Sequence, residues 1–277
     1  MWLMRTLLAL SLLAGQFWLA GCGRPSGRVT ISPDNARREL FLRGYDYNEK
    51  EFLDRAGEGD EVAVKLFIAA GMSAEVKNAQ GETPLIAAAR SGNPRAVRAL
   101  LGEGGADVNA RDATGKTALM RAALADSAGG LRALLEGGAD PNAQTRAGST
   151  ALMFAVQRNR PEMVTALLDR GADVNLVDME TGTALLWAVY YDRPQLVRLL
   201  LERGADPNVR NSYGGTALMI AATTGNTDAL QILLERGADP SIKDKEGKTA
   251  LKWAVEARQT KVLPLLQAGA KGAQPGS

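Results

Sequence analysis

The sequence predicts an all-α fold, a solenoid of stacked helix–turn–helix units, and three observations predict it. First, a heptapeptide recurs: TPLIAAA from Thr83, TALMRAA from Thr117, TALMFAV from Thr150, TALLWAV from Thr183, TALMIAA from Thr216 and TALKWAV from Thr249, at steps of 34, 33, 33, 33 and 33 residues. A fixed period of this length is the signature of a repeat array. Second, another marker keeps the same beat: GADVNA from Gly105, GADPNA from Gly138, GADVNL from Gly171, GADPNV from Gly204 and GADPSI from Gly237. Third, aromatics are only 5% of the chain while Ala, Leu and Gly abound, which suits helices in close contact and suits a β-sandwich badly.

Each unit reads as two short helices and a loop. The recurring Thr is placed to cap the first helix, and Pro84 takes a first helical position, where its missing N–H costs nothing. Nine residues after each Thr come Gly92, Asp126, Asn159, Asp192, Gly225 and Arg258. Five of these six are the types that best tolerate a left-handed helix end. The second helix carries the apolar pairs Leu100-Leu101, Leu134-Leu135, Leu167-Leu168, Leu200-Leu201 and Leu233-Leu234, and the Gly of GAD ends it. The single 34-residue step is one extra residue in LLGEGGAD, in a turn, where insertion is cheap.

These markers resemble the ankyrin repeat, whose unit is a helix–turn–helix with a β-hairpin-like finger. The resemblance covers residues 50–270, about seven repeats with the first and last degenerate. It departs at one position: the histidine of the family's TPLH is replaced by Ile86, Met120, Met153, Leu186, Met219 and Lys252. Loop bonding must then come from other groups, with the Thr hydroxyls as candidates.

The ends need caps, because a terminal repeat has one unpartnered face. Residues 34–49 are expected to hold a capping helix, with Ser32 as cap, Pro33 at the first position and Gly44 past the end. Lys50 falls one period before Thr83 and opens the degenerate first repeat, with Gly59 at its turn, Phe67-Ile68 at the paired apolar site and Gly71 at its end. In the last repeat Pro264 falls inside the second helix and is expected to bend or shorten it. Residues 271–277 read as a frayed tail. Gly129 and Gly130 open the second helix of the third repeat at up to about 1 kcal/mol each relative to Ala, which predicts the softest helix of the array.

The N-terminus carries a different message. Arg5 is followed by an uncharged run from Thr6 to Gly21, too short and poorly flanked for a membrane span. Leu19-Ala20-Gly21-Cys22 resembles the bacterial lipoprotein box, and Cys22 is the only cysteine. The resemblance implies a signal peptide over 1–21, cleavage before Cys22, lipidation of its sulfur and a tether over 22–33. A thiolate is the suitable nucleophile for that step, and several acyl chains hold firmly at about 0.8 kcal/mol per buried methylene. Gly23, where an Asp would retain the protein in the inner membrane, favours the outer membrane facing the periplasm. A plain secretory signal and an uncleaved signal anchor are the alternatives.

Little in the chain points to catalysis or to a cofactor. It has no histidine and one cysteine, too few ligands for zinc. ARDATGKT, Ala110 to Thr117, satisfies a loose nucleotide-binding pattern, but it falls between two repeats and Thr117 is the repeating Thr. The series Asp107, Asp140, Asp173, Asp206 and Asp239 recurs once per unit and reads as loop residues bonding nearby N–H groups. A net charge of +2 gives no strong pull on nucleic acid. The expected function is therefore protein binding by a monomer without enzymatic activity or cofactor.

The resemblance places the binding surface on the finger tips and the ends of the first helices. Tyr190, Tyr191, Tyr213, Met179 and Arg210 are types enriched at interface centres and are expected to lie close together on the concave side, and Arg146 and Arg158 belong to the same expected binding surface. Phe154, Trp187, Ile220 and Trp253 share one repeat position and could be core or a ligand groove. An immunity protein against a periplasmic toxin, or a helper of an envelope enzyme in oxidative-stress defence, would each suit such a tethered binder.

Overall fold

The structure is a computed structural model that describes residues 31–179 and 181–272. The expected signal peptide, Cys22, most of the expected tether, Glu180 and residues 273–277 lie outside the described residues. Fifteen α-helices follow one another there, joined by turns with no extended strand among the described residues.

Helix α1 (Pro33–Leu42) stands alone. Seven pairs follow: α2 (Glu49–Glu58) with α3 (Glu61–Ala69), α4 (Pro84–Ser91) with α5 (Pro94–Gly102), α6 (Ala118–Leu124) with α7 (Ala128–Glu136), and α8 (Ala151–Gln157) with α9 (Pro161–Asp169). The series continues with α10 (Ala184–Tyr190) and α11 (Pro194–Glu202), α12 (Ala217–Thr224) and α13 (Thr227–Glu235), and α14 (Ala250–Glu256) and α15 (Leu263–Gly272). Each first helix packs on the first helices before and after it, making an inner row.

The capping chemistry explains why the units start where they do. The hydroxyls of Thr83, Thr117, Thr150, Thr183, Thr216 and Thr249 each accept the N–H three residues on, at 3.3–3.5 Å. All six helix-ending positions, Arg258 included, have positive φ, from 54° at Asp192 to 83° at Gly92. Two central inner helices are apolar on every side: Ala151 to Val156 in α8 and Ala184 to Val189 in α10 are buried throughout, as helices flanked on all faces must be. Their alanines let backbones approach. The outer helices are amphipathic, burying Leu196, Val197 and Leu200 in α11. The resulting core runs without interruption from Ala36 to Leu266.

The GAD segments tie repeat to repeat. Asn142, Asn175 and Asn208 accept the N–H of Asp173, Asp206 and Asp239 at 2.7, 2.9 and 2.8 Å. Their amide groups donate to the carbonyls of Gly171, Gly204 and Gly237 at 3.1–3.2 Å. The Asp carboxylates accept the N–H two residues on, as at Asp206, where Asn208 N–H donates at 2.8 Å. These aspartates are loop-forming groups.

The ends differ from the interior. In the first repeat the cap is Asn48, two residues before the frame position Lys50, so α2 is longer than its successors. The buried rings of Phe52 and Phe67 stack at 5.1 Å, and Arg37 from α1 reaches the Ala70 carbonyl at 3.3 Å. Near Pro264 the second helix of the last repeat starts three residues after the frame position Thr260, though at ten residues it is not shorter than its predecessors. A 3₁₀ turn over Thr260–Val262 intervenes, and α15 starts at Leu263, so the proline falls in the first turn, where no N–H is needed. Gly129 and Gly130 also have a packing reason: a Cβ on Gly130 would meet the Ala89 carbonyl oxygen at 2.9 Å.

Candidate partner-binding surface

Each finger is a tight turn closed by backbone bonds, such as Asp112 N–H to the Lys116 carbonyl at 3.0 Å, Gly115 N–H to the Asp112 carbonyl at 2.9 Å and Asp178 N–H to the Gly182 carbonyl at 2.9 Å. A side-chain oxygen at the start of the turn organises it. Asp112 Oδ1 accepts the N–H groups of Thr114 and Lys116 at 2.8 and 3.1 Å. Asn78, Asn211 and Asp244 do the same in their fingers, while Thr145 accepts the Ser149 N–H at 3.1 Å. The missing family histidine is thus replaced by finger residues, and the capping hydroxyls stay with the helices.

The finger aspartates also reach the inner helices. Asp112 Oδ2 accepts from Arg121 Nε at 2.6 Å, Asp178 Oδ2 from Trp187 Nε1 at 2.8 Å, and Asp244 Oδ2 from Trp253 Nε1 at 2.8 Å. Burial works to raise the Asp112 carboxyl, but the Thr114 hydroxyl, the Lys116 N–H and the Arg121 guanidinium outweigh it and hold it below its ordinary range. The same balance, set by burial against the Lys248 N–H and the Trp253 indole, lowers Asp244.

Neighbouring fingers are bridged by the residue just before the organising one. Arg111 donates to the carbonyls of Gly115 and Gln144 at 2.8 and 2.7 Å. Gln144 donates to those of Gly148 and Val177 at 2.9 and 3.4 Å. Arg210 donates to Gly214 and Lys243 at 3.2 and 2.8 Å. Arg210 is therefore committed to the scaffold rather than offered to a partner.

Between the fingers and the inner helices lies a hollow of about 290 Å³, lined by Thr114, Lys116, Thr145, Arg146, Ala147, Ser149, Phe154, Gln157 and Trp187. Phe154 and Trp187 form its floor and are only 8% and 4% exposed, so this part of the aromatic row is core and groove at once. Ile220 and Trp253 are half-buried. Arg146 is exposed on the rim. Sequence reasoning missed Lys116; the signal available was its place directly before a capping Thr, which puts it where finger meets helix.

The other predicted residues are distributed more widely than expected. Met179 and Tyr213 are 72% and 73% exposed in their fingers. Tyr190, 59% exposed, sits at the far end of α10 and lines a separate cleft of about 450 Å³ with Asp192, Thr224 and Asn226. A seven-residue helix spans roughly 10 Å, so finger residues and Tyr190 do not form one cluster. Tyr191 is built into the scaffold: its hydroxyl accepts from Gln157 Nε2 at 2.9 Å, and its ring meets Trp187 and Tyr190 at 5.5 and 5.2 Å. Arg158 ends α8 and is exposed. Among the described residues no group of His, Cys, Asp and Glu could hold a metal ion, and no helix is long and apolar enough to cross a membrane.

Comparison with known proteins agrees with this architecture. The sequence matches the family model described as ankyrin repeats (3 copies) at residues 54–145, 130–211 and 185–276. The crystal structure of the ankyrin repeat domain of Bcl-3, a member of the IkappaB protein family, is 33% identical and superposes with a TM-score of 0.71, covering 78% of this chain and 97% of that one. The human ASB11 ankyrin repeat domain is 29% identical with a TM-score of 0.68, covering 82% of this chain and 99% of that one. With its helix pairs, finger turns and inter-repeat Asn bonds in one period, the chain belongs to the ankyrin-repeat family.

Proposed function

We propose that this chain is a non-enzymatic protein-binding lipoprotein of the bacterial envelope, held to the membrane through Cys22 and gripping its partner on the finger side of the solenoid. The observation that carries the binding reading is the hollow between Lys116, Arg146, Phe154 and Trp187, bounded by fingers that are hydrogen-bonded to each other and to the inner helices. Such a preorganised surface loses little entropy when it binds. The anchor reading is supported by the Leu19-Ala20-Gly21-Cys22 box after an uncharged run. A tethered binder of this kind serves equally as an immunity protein that occludes an incoming toxin or as a helper that docks an envelope enzyme.

A photo-crosslinking residue placed at Ala147, which lines the hollow, or, separately, at exposed Arg198 on the outer helix α11 tests the binding face. Adducts with protein from position 147 and none from position 198 are expected in cells that contain the partner. Adducts from Arg198 alone would move the site to the outer helices. For the anchor, Cys22→Ser is expected to release the chain from the membrane fraction; a variant that stays there as firmly as the wild type would sink that reading.

A further inference from the structure

Lys116 and Lys248 occupy the same place in their repeats, directly before the capping Thr, yet their surroundings differ. Lys248 Nζ lies 3.0 Å from Glu246 Oε2 and 2.8 Å from Glu256 Oε2, over the Trp253 ring at 4.7 Å. Glu256 and Glu246 together hold its ammonium well above the ordinary lysine range. Lys116 likewise lies over an aromatic ring, that of Phe154 at 5.9 Å. The residues at the positions matching Glu246 and Glu256 are Thr114 and Leu124, and the hydrogen bond Lys116 makes is to the Thr114 hydroxyl at 3.3 Å. The last repeat thus fills with its own glutamates a seat that the third repeat leaves open to the hollow.

A second cation lines the same hollow. Arg146 is exposed, its stem passes beside Gly115, and no carboxylate is among the residues lining the hollow. We infer that the hollow seats the carboxylate of an acidic, extended segment of the protein partner, with Lys116 and Arg146 as its cations and Phe154 and Trp187 beneath its methylene groups. This rests on the protein-binding reading above and names the chemistry of what is bound. A charged group in a part-closed hollow meets a lower dielectric than on open surface, which strengthens the attraction. Nucleic acid fits less well, because it needs a row of cations along a backbone and the chain carries a net charge of only +2.

The full chain, purified in detergent, would be used to select binders from a display library of random peptides, beside a Lys116→Glu, Arg146→Glu variant. The expected result is Asp/Glu-rich peptides from the wild type and Lys/Arg-rich peptides from the charge-reversed chain. Lys116→Gln and Arg146→Gln, both on the solvated rim and checked for fold by circular dichroism, should each weaken a selected acidic peptide roughly twofold to fivefold. Peptides without charge bias, or a bias indifferent to these substitutions, would overturn the inference while leaving crosslinks from position 147 intact. Displacement of the acidic peptide by single-stranded DNA at equal concentration would also overturn it. Absence of crosslinks from position 147 would instead overturn the reading on which it rests.

Discussion

Trp187 Nε1 donates to Asp178 Oδ2 at 2.8 Å, joining an inner helix to the finger nine residues before it, and both side chains are buried. Trp253 repeats the bond with Asp244, and Arg121 with Asp112. In the other three fingers the organising residue is Asn78, Thr145 or Asn211, and nine residues on stands Ala87, Phe154 or Ile220, none with a side-chain donor. A carboxylate is used only where a donor can meet its second oxygen, as the cost of burying an unmatched charge requires. Trp187→Phe removes one bond to a charged acceptor and is expected to cost about 1.5–3 kcal/mol. Urea denaturation measures it; an unchanged midpoint would mean the bond adds nothing to stability.

The same rule predicts an interaction between two substitutions. Thr145→Asp places a second carboxylate oxygen toward Phe154, a ring with no donor, and should destabilise by about 1–3 kcal/mol. Adding Phe154→Trp should recover part of that loss, because the indole N–H then occupies the place Trp187 holds in the next repeat. A double-mutant cycle reads the coupling. Strict additivity of the two changes would show that the Asp–donor pattern carries no energy.

Helix propensity and packing make opposite predictions at Gly130. Propensity alone favours Gly130→Ala by up to about 1 kcal/mol. The added Cβ would press on the Ser127 hydroxyl and stand 2.9 Å from the Ala89 carbonyl oxygen, which belongs to the backbone of α4 and cannot swing aside. Overpacking of this kind costs about 1–3 kcal/mol, so the substitution should destabilise. At Gly129 the nearest atom is the Gly92 carbonyl oxygen at 3.2 Å, and Gly129→Ala should be close to neutral. Thermal unfolding of the two variants gives the order; a stabilised Gly130→Ala would show that the α4–α7 contact is loose.

Much of the fold was legible because it is written in local chemistry that repeats. A Thr three residues before the N–H it caps, and a Gly, Asp or Asn at a left-handed helix end, need no knowledge of distant neighbours. The outcome at Pro264 was legible only in part, because the sequence shows a disturbed helix but not the 3₁₀ turn that shifts its start by a few residues. The purpose of Gly130 was hidden because Ala89 lies in another repeat. The predicted binding residues are spread more widely than the sequence suggested. Exposure of Tyr213 and Tyr190 says nothing about which end of a unit each occupies, and Arg210 looked free until its carbonyl partners were placed. The contrast of Thr114 and Leu124 with Glu246 and Glu256 could be read from the aligned repeats once the frame was known.

Acid should weaken the fingers that aspartates organise. The carboxyls of Asp112 and Asp244 are held below their ordinary value in the folded chain. A depressed folded pKa gives stability that is fully present above the unfolded value, about 3.9 for Asp, and is lost as pH falls through the lower folded value. With no histidine in the chain, no imidazole adds a step near neutrality. Stability is expected to be flat from about pH 6 to pH 8 and to fall below about pH 4. Asp112→Asn should lower the plateau and flatten the acid limb. A limb of unchanged steepness in that variant would assign the acid loss to other carboxylates.

The tyrosines that looked alike in sequence should separate into two behaviours. Tyr191 is half-buried against Trp187 and accepts a hydrogen bond from Gln157 Nε2, which lines the hollow. Removing its hydroxyl in Tyr191→Phe should cost about 0.5–1.5 kcal/mol, the ordinary net worth of such a bond. It should also free Gln157 to move in the hollow, so that affinity for whatever binds there changes without any contact to Tyr191 itself. Tyr190 and Tyr213 project into solvent at 59% and 73% exposure, and their replacement by Ala should stay within about 0.5 kcal/mol of the wild type. Urea denaturation of the three variants tests the division. A large loss at Tyr213 with none at Tyr191 would reverse the assignment of scaffold and surface. If the division holds, Tyr213→Ala and Tyr190→Ala become clean probes of binding at the fingers and at the α10 end, because neither disturbs the fold that presents them.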